Sequence, residues 1–286
     1  MPELTILHTL YWSLLVVVVL YALPRAFWIF RQELSAHRNN PDETGAPLPA
    51  TSPVALGRLS LEHINFIDVV AVLIICGLYY SSGEGRGEIT VDVLLLGLVG
   101  QLFSIGIIVM IWVFRVNLIE VFGLRKLRLA HLLWVGAILA ITWGFTGVVE
   151  YLGYFTFLES YYGEPPLQDA VQVLQHTTDP LILALIAVVA CIGAPVTEEL
   201  LFRGYIFPIM SRYTGLIGGV LFSALFFSVI HFNLASFPSL CVMGALLAVA
   251  YQRTGTLWVP IIAHALFNSS TVCYQILSRY SEVSAG

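Results

Sequence analysis

Long segments without a single Asp, Glu, Lys or Arg constrain this chain more than any other feature of its sequence. Lipid offers no water to an open backbone, so only helices and closed barrels cross a bilayer, and a helix needs about 20 apolar residues to do so. The segments are continuously apolar rather than alternating, which favours helices over barrel strands. They cover residues 4–24, 69–83, 93–114, 129–149, 180–197, 213–252 and 254–278.

The composition agrees with a membrane-embedded chain. Charged residues make up 11% of the 286 residues and apolar residues 58%, whereas a soluble domain carries about 25% charged residues. The mean hydropathy is +0.86, and a soluble fold with so few charges could not cover its surface. The net charge of −5, without a dense basic cluster, excludes nucleic acid as a partner. Membrane lipids are therefore the expected surroundings.

The segments predict an all-α, polytopic membrane protein of about eight transmembrane helices. The first four form an N-terminal membrane region, 1–179, with a polar loop at 31–60 and an acidic connection at 153–179 that could hold a short surface helix. The last four form a second region, 180–286, whose first helix is expected to bend at Pro195. The predicted helices span about 8–30, 62–82, 92–115, 129–152, 180–212, 214–232, 238–252 and 257–278.

Basic residues predict the orientation, because cytoplasmic loops are enriched in Lys and Arg. If the helices alternate in direction, eleven Lys and Arg residues lie on one side, and Arg86 and Arg279 lie on the other. Both termini are therefore expected outside the cytoplasm, in the plasma (inner) membrane if the source is bacterial. The four cysteines lie in apolar runs without CxxC spacing and are expected to be free, buried thiols.

Two adjacent glutamates inside the fifth predicted helix depart from this distribution of charge. Ionisable groups within a membrane are expensive and usually functional. Glu199 and Arg203 are four residues apart, in the order that favours an ion pair on one helix face, so Arg203 is expected to keep Glu199 ionised. Glu198 points about 100° away. It has no such local partner, which suits it to general-base chemistry.

A histidine on the next predicted helix can reach the level of these glutamates. A tight hairpin turning at about 213–215 would place His231 at the depth of Glu198, because the two residues are nearly equidistant from the turn along the chain. This argument needs both arms to be helical. Phe227 lies one turn before His231 and would pack beside it.

A second histidine lies in the last predicted helix. His264 and Asn268 are four residues apart and share one helix face, where together they offer donors for a developing oxyanion. Several polar groups in spans that otherwise lack charge are difficult to explain by packing alone. The candidate catalytic residues are Glu198, His231, His264 and Asn268, with Glu199, Arg203 and Phe227 in supporting roles.

Three short motifs together resemble the signature of the CPBP family, which includes the type II CAAX prenyl endopeptidases and the bacterial Abi-type intramembrane proteases. The motifs are Glu198-Glu199-x-x-x-Arg203, Phe227-x-x-x-His231 and His264-x-x-x-Asn268, within a resemblance over about 181–278. The resemblance implies a membrane-embedded endopeptidase with a multi-helix core, acting on proteins or peptides that include lipid-modified ones. It implies that Glu198 activates water with the help of His231. His264 and Asn268 would then stabilise the oxyanion.

Three different hypotheses also fit these residues. The first is a zinc protease, in which Glu198, His231 and His264 hold the metal and leave a position for water. No HExxH-type pair places two ligands on one helix, and Asn268 is a natural oxyanion donor, so we expect a metal-free mechanism without a cofactor. The second hypothesis is a transport protein that relays protons through buried Glu and His. The third is a non-catalytic scaffold or immunity-type protein on the same fold.

Overall fold

The computed structural model describes residues 2–39, 64–82, 90–163 and 169–285, and within these ranges it contains helices and no strand. We number the helices α1 to α11. Helix α1 comprises Pro2–Val17, Val18–Ala22 and Leu23–Asn39; α2 is Phe66–Ser82, α3 Val91–Val113 and α4 Leu118–Val121; α5 comprises Leu129–His131 and Leu132–Tyr151; α6 is Tyr154–Tyr162 and α7 Asp169–His176. Helix α8 comprises Pro180–Val188, Val189–Gly193, Ala194–Leu201, Phe202–Ile206 and the part of Phe207–Val229 before Gly215; α9 is the part after Gly215; α10 is Phe237–Thr254 and α11 Trp258–Ala285.

Among the described residues, four helical stretches are long and apolar enough to cross a membrane: Leu4–Gln32, Val91–Val113, Leu129–Tyr151 and Pro180–Val229. The last is 50 residues long and turns back at Gly215, so it holds two helices. A shorter apolar helix covers Phe66–Leu78. The prediction of an all-α, polytopic integral membrane protein is confirmed, and the figure of eight crossings stays a prediction.

In the part of the chain that the structure describes, three helical turns are wound more widely than an α-helix, and each is followed by a proline at the same spacing. The π-helical turns Val18–Ala22, Val189–Gly193 and Phe202–Ile206 end two residues before Pro24, Pro195 and Pro208. Proline has no N–H to donate, and its ring collides with the carbonyl of the preceding turn. A turn with one extra residue relieves that collision, so each helix continues instead of breaking. The bend predicted at Pro195 therefore takes the form of a widened turn.

Helices α8 and α9 form the hairpin that the sequence predicts at 213–215. Gly215 has φ 79° and ψ 169°, a backbone conformation that glycine adopts without steric cost. Helix α9 then packs closely on α10, because a Cβ added to Gly244 would lie 3.0 Å from the Cα of Ala224. The small residues at this crossing bring the backbone of α10 close to the hairpin.

An ion pair with a buried carboxylate, and a tyrosine that donates to it, tie the N-terminal region to α8. Asp68, at the start of α2, is 1% exposed and accepts hydrogen bonds of 2.7 and 2.8 Å from Arg115, which follows α3. The hydroxyl of Tyr205, in the widened turn of α8, donates to the same carboxylate at 3.3 Å. The hydrogen bond with Asp68 raises the pKa of Arg115, so the guanidinium stays charged at physiological pH.

Three sequence expectations differ from the structure in detail. Helix α1 continues to Asn39, well into the predicted loop 31–60, because residues 31–39 contain good helix formers and neither Pro nor Gly. The remainder of that loop lies outside the described residues. The connection 153–179 contains two short helices, α6 and α7. All four cysteines are free as predicted, but only Cys76 is fully buried and Cys273 is exposed.

Candidate active site

Glu199 and Arg203 form the ion pair that their spacing predicts. Nη1 of Arg203 lies 2.7 Å from Oε1 of Glu199, and both side chains are 0% exposed. Nη2 of Arg203 donates to the carbonyl of Gly244 on α10 at 3.1 Å. The guanidinium carbon lies 4.7 Å from the centroid of the Phe227 ring, a cation–π distance. A buried charge needs a partner and further hydrogen bonds, and Arg203 obtains them from α8 and α10.

His264 connects the two glutamates. Its Nδ1 lies 2.8 Å from Oε1 of Glu199, and its Nε2 lies 3.9 Å from Oε2 of Glu198. Arg203 keeps Glu199 as a carboxylate, which only accepts hydrogen bonds, so Nδ1 carries the proton. Nε2 is therefore the nitrogen nearer Glu198, at a distance beyond a direct hydrogen bond. Glu199 thus orients His264 as well as neutralising Arg203.

Glu198 differs from its neighbour in exposure and in bonding. Its side chain is 20% exposed, whereas that of Glu199 is 0% exposed. The Oε2 of Glu198 is buried and has no hydrogen-bond partner among the described residues. Glu199 accepts from Arg203 and His264 through Oε1, and its own Oε2 is likewise without a partner among the described residues. The difference is that Glu198 is partly exposed and can accept a hydrogen bond from another molecule. The adjacent carboxylates are therefore separated into a structural one and a chemically available one.

Phe227 lies between the two histidine rings. Its centroid is 5.0 Å from that of His231 and 5.5 Å from that of His264. Nδ1 of His231 lies 2.7 Å from the carbonyl oxygen of Phe227, and a carbonyl only accepts, so Nδ1 is the donor and Nε2 of the neutral ring is an acceptor. The ion-pair contacts of Glu198 in the described ranges include His264 and not His231. His231 therefore joins the site through Phe227.

Asn268 contacts α8 at a separate level. Its side-chain amide donates to the carbonyl of Ala190 at 2.8 Å, within the widened turn Val189–Gly193. This bond uses one of the two amide hydrogens and fixes the orientation of the amide, and it leaves the second hydrogen for another acceptor. His264 and Asn268 share one face of α11 as predicted, but they contact different levels of α8.

The surroundings of the site include groups that sequence reasoning did not find. Two are backbone carbonyls, those of Gly244 and Ala190, and a side-chain pattern carries no signal for a backbone acceptor. The ring of Phe202, which directly precedes Arg203 and flanks the first motif, also packs here, 5.2 Å from the ring of Phe227 and 5.7 Å from the guanidinium carbon of Arg203.

The three candidate zinc ligands do not converge. No group of three or more His, Cys, Asp or Glu side chains within the ranges that the structure describes is arranged to hold a metal ion. Zinc needs its ligand atoms at about 2.0–2.3 Å from one point. His231 is turned to a backbone carbonyl through Nδ1, and the Phe227 ring packs between it and His264. The set Glu198, His231 and His264 therefore does not fit zinc in this geometry, and a metal-free reaction stays a prediction.

The helices that carry this geometry match a known family. Residues 180–270 match the family described as Type II CAAX prenyl endopeptidase Rce1-like. This region belongs to the CAAX protease family. A stretch of 92 residues is also 34% identical to the candidate membrane peptidase YdiL of Bacillus subtilis strain 168, over 32% of this chain and 38% of the length of that protein. No solved structure matches the chain.

The CAAX-protease region begins with α8 and ends within α11. It contains all the residues that the three sequence motifs select, so the family predicted from those motifs is confirmed. Helices α1 to α7 lie outside the match, and the division at 179/180 into two regions stays a prediction. The roles of the individual residues also stay predictions.

Proposed function

We propose that this protein is an intramembrane endopeptidase that hydrolyses peptide bonds with a water activated by Glu198. The observation that carries the proposal is the convergence of a partly exposed carboxylate, a buried ion pair and His264 at one level of an apolar helix. Membership of the CAAX protease family and the membrane-peptidase relative support it. The bacterial source of that relative supports the plasma membrane as the location.

In this mechanism Glu198 is the general base. It takes a proton from water, and the resulting hydroxide oxygen forms a bond with the carbonyl carbon of the substrate peptide bond. His231 assists by accepting a hydrogen bond from that water at Nε2, the nitrogen left free by the bond of Nδ1 to Phe227. When the tetrahedral intermediate collapses, the C–N bond breaks and the proton held by Glu198 passes to the leaving amine nitrogen, which restores the carboxylate.

In the proposed mechanism, His264 and Asn268 stabilise the oxyanion of the tetrahedral intermediate. A protonated His264 donates from Nε2, and the carboxylate of Glu199 stabilises that imidazolium through Nδ1. Asn268 donates its second amide hydrogen, since the first is held by Ala190. A preorganised donor of this kind contributes about 10²–10³ in rate. Glu199 and Arg203 act through His264 and do not touch the substrate.

Replacing the base tests the proposal. Purified wild type, Glu198→Gln and Glu120→Gln are incubated in proteoliposomes with internally quenched fluorescent peptides. Glu120 lies exposed on α4 and serves as the matched control. We expect Glu198→Gln to lower cleavage by about 10²–10⁴-fold, with Glu120→Gln at the wild-type rate. Undiminished cleavage by Glu198→Gln would remove Glu198 from the mechanism.

The substrate class is tested with the same peptides in matched pairs. One member carries a C-terminal CAAX sequence with a farnesylated cysteine, and the other carries the same sequence unmodified. We propose lipid-modified or membrane-associated peptides as substrates, because the site lies among apolar helices. Faster cleavage of the farnesylated member is the expected result, and equal cleavage would leave membrane-associated peptides as the substrate class. For the metal-free reaction, we expect no stoichiometric zinc by elemental analysis and full activity after chelation. Zinc lost together with activity would overturn it.

A further inference from the structure

The turn that carries His231 has an unusual backbone. Helix α9 ends with hydrogen bonds from Ile230 to Phe226 and from Phe232 to Val229. Phe232 then has φ 46°, which makes it the one non-glycine residue with positive φ in the described part of the chain. Glycine is the usual residue at such a helix end, because a side chain is strained in the left-handed region. Strain of this kind persists only where the surroundings over-determine it.

The Phe232 ring is held by α1. The ring of His8 meets it edge-on with centroids 5.6 Å apart, and the ring of Tyr11 stacks on it at 6.4 Å with planes 24° apart. Tyr11 is 0% exposed, and its hydroxyl donates to the carbonyl of Cys76 on α2. Phe232 is therefore packed against a side chain that a second helix already fixes.

The turn is held from another side by α6. The hydroxyl of Tyr154 donates to the carbonyl of Leu234 at 2.9 Å. Within the turn, the side chain of Asn233 accepts from the backbone N–H of Ser236 at 2.8 Å, which prepares the start of α10. The turn is thus fixed to α1 on one side and to α6 on the other, and His231 lies near its start, directly before Phe232.

We propose that His8, Tyr11 and Tyr154 are positioning residues that set the orientation of His231 through the strained turn at Phe232. All three lie outside the CAAX-protease region, so α1 and α6 would contribute to the site from outside that region. The proposal rests on the proposed function, in which His231 assists the general base. Its physical basis is that a left-handed phenylalanine would relax if its ring lost these contacts, and His231, directly before it in sequence, would move with the backbone.

The kinetic test weakens the contacts without changing the turn itself. The double variant His8→Ala with Tyr154→Phe is compared with two controls. His8→Phe keeps a ring edge against Phe232, and Leu20→Ala changes a residue on the outward face of α1 that is 73% exposed. We expect the double variant to lower kcat about tenfold or more with KM unchanged, as small displacements of catalytic groups do. His8→Phe and Leu20→Ala should keep the wild-type kcat.

A double-mutant cycle separates positioning from general destabilisation. If the contacts act through His231, the double variant should lose its effect in a His231→Ala background. An equal fold-change in both backgrounds would overturn the proposal, as would an unchanged kcat in the double variant alone.

A second measurement does not require cleavage. His231→Cys is introduced with the four native cysteines replaced by alanine, and the rate of maleimide labelling is measured in proteoliposomes. Adding His8→Ala and Tyr154→Phe should change that rate several-fold, and an unchanged rate would overturn the positioning proposal. If Glu198→Gln keeps full cleavage while the labelling rate changes, the proposed mechanism with Glu198 as the base fails, and the control of position 231 stands.

Discussion

The same substitution at two adjacent glutamates should have opposite consequences. Glu199→Gln keeps an oxygen that can accept from Arg203 and His264, but it removes the counter-charge bonded to the Arg203 guanidinium, which is 0% exposed. Removing one partner of a buried ion pair costs about 3–5 kcal/mol, because the other charge stays desolvated. Glu198→Gln removes a carboxylate whose Oε2 has no hydrogen-bond partner in the described ranges. Its side chain is 20% exposed, so the free energy of unfolding should change by less than about 1 kcal/mol.

The assay is reversible unfolding in mixed micelles of dodecyl maltoside and SDS, followed by circular dichroism, with cleavage of the quenched peptides measured in parallel. We expect Glu199→Gln to unfold at much lower SDS fraction than wild type. Glu198→Gln should unfold at the wild-type SDS fraction and yet cleave about 10²–10⁴-fold more slowly. Equal destabilisation by the two substitutions, or a larger one by Glu198→Gln, would refute the division into a structural and a chemical carboxylate.

Three further predictions concern the framework. Asp68→Asn removes the counter-charge of Arg115, whose side chain is 27% exposed and can regain water. We therefore expect the free energy of unfolding to fall by about 1–3 kcal/mol in the same assay. An unchanged unfolding midpoint would contradict this prediction. Gly244→Ala places a Cβ 3.0 Å from the α9 backbone and should lower the free energy of unfolding by about 1–3 kcal/mol. In the control Gly136→Ala, no atom lies within 4 Å of the added Cβ, so the free energy of unfolding should be unchanged or slightly higher. Single cysteines placed in the loop 31–60 should be labelled only from the cytoplasmic side, and labelling from outside would reverse the predicted orientation.

Much of the fold was predictable because membrane helices are set by local composition. The apolar runs predict the long helices α1, α3, α5 and α8, since a segment without charges has no other stable state in lipid. The end of α1 was less predictable, because helix-forming residues carry the helix beyond the apolar run to Asn39. The Asp68–Arg115 pair was not predictable, because it joins residues that are 47 positions apart and follow no common periodicity.

The candidate site likewise contains contacts that the sequence predicted and contacts that it did not. The Glu199–Arg203 pair follows from one turn of helix geometry and was predicted. The hairpin at Gly215 follows from the position of a turn residue between two apolar runs and was also predicted. The contact of His264 with Glu199 joins residues 65 positions apart, and it depends on the register of α11 against α8. The prediction that Glu198 lacks a local partner was correct within its own helix, and His264 reaches towards it from another.

The sequence by itself determined that this chain is a helical membrane protein and that two adjacent glutamates and an arginine lie inside one helix. These two properties follow from hydropathy and from the 3.6-residue repeat, which act over a few residues. The resemblance of the motifs to the CAAX protease family was also visible in the sequence. Only the tertiary structure decided which carboxylate holds His264, which carbonyl orients Asn268, and which distant rings hold the turn at Phe232. The physical reason is that contacts between helices depend on crossing angle, close approach and register, which packing of the whole bundle sets and no single segment encodes.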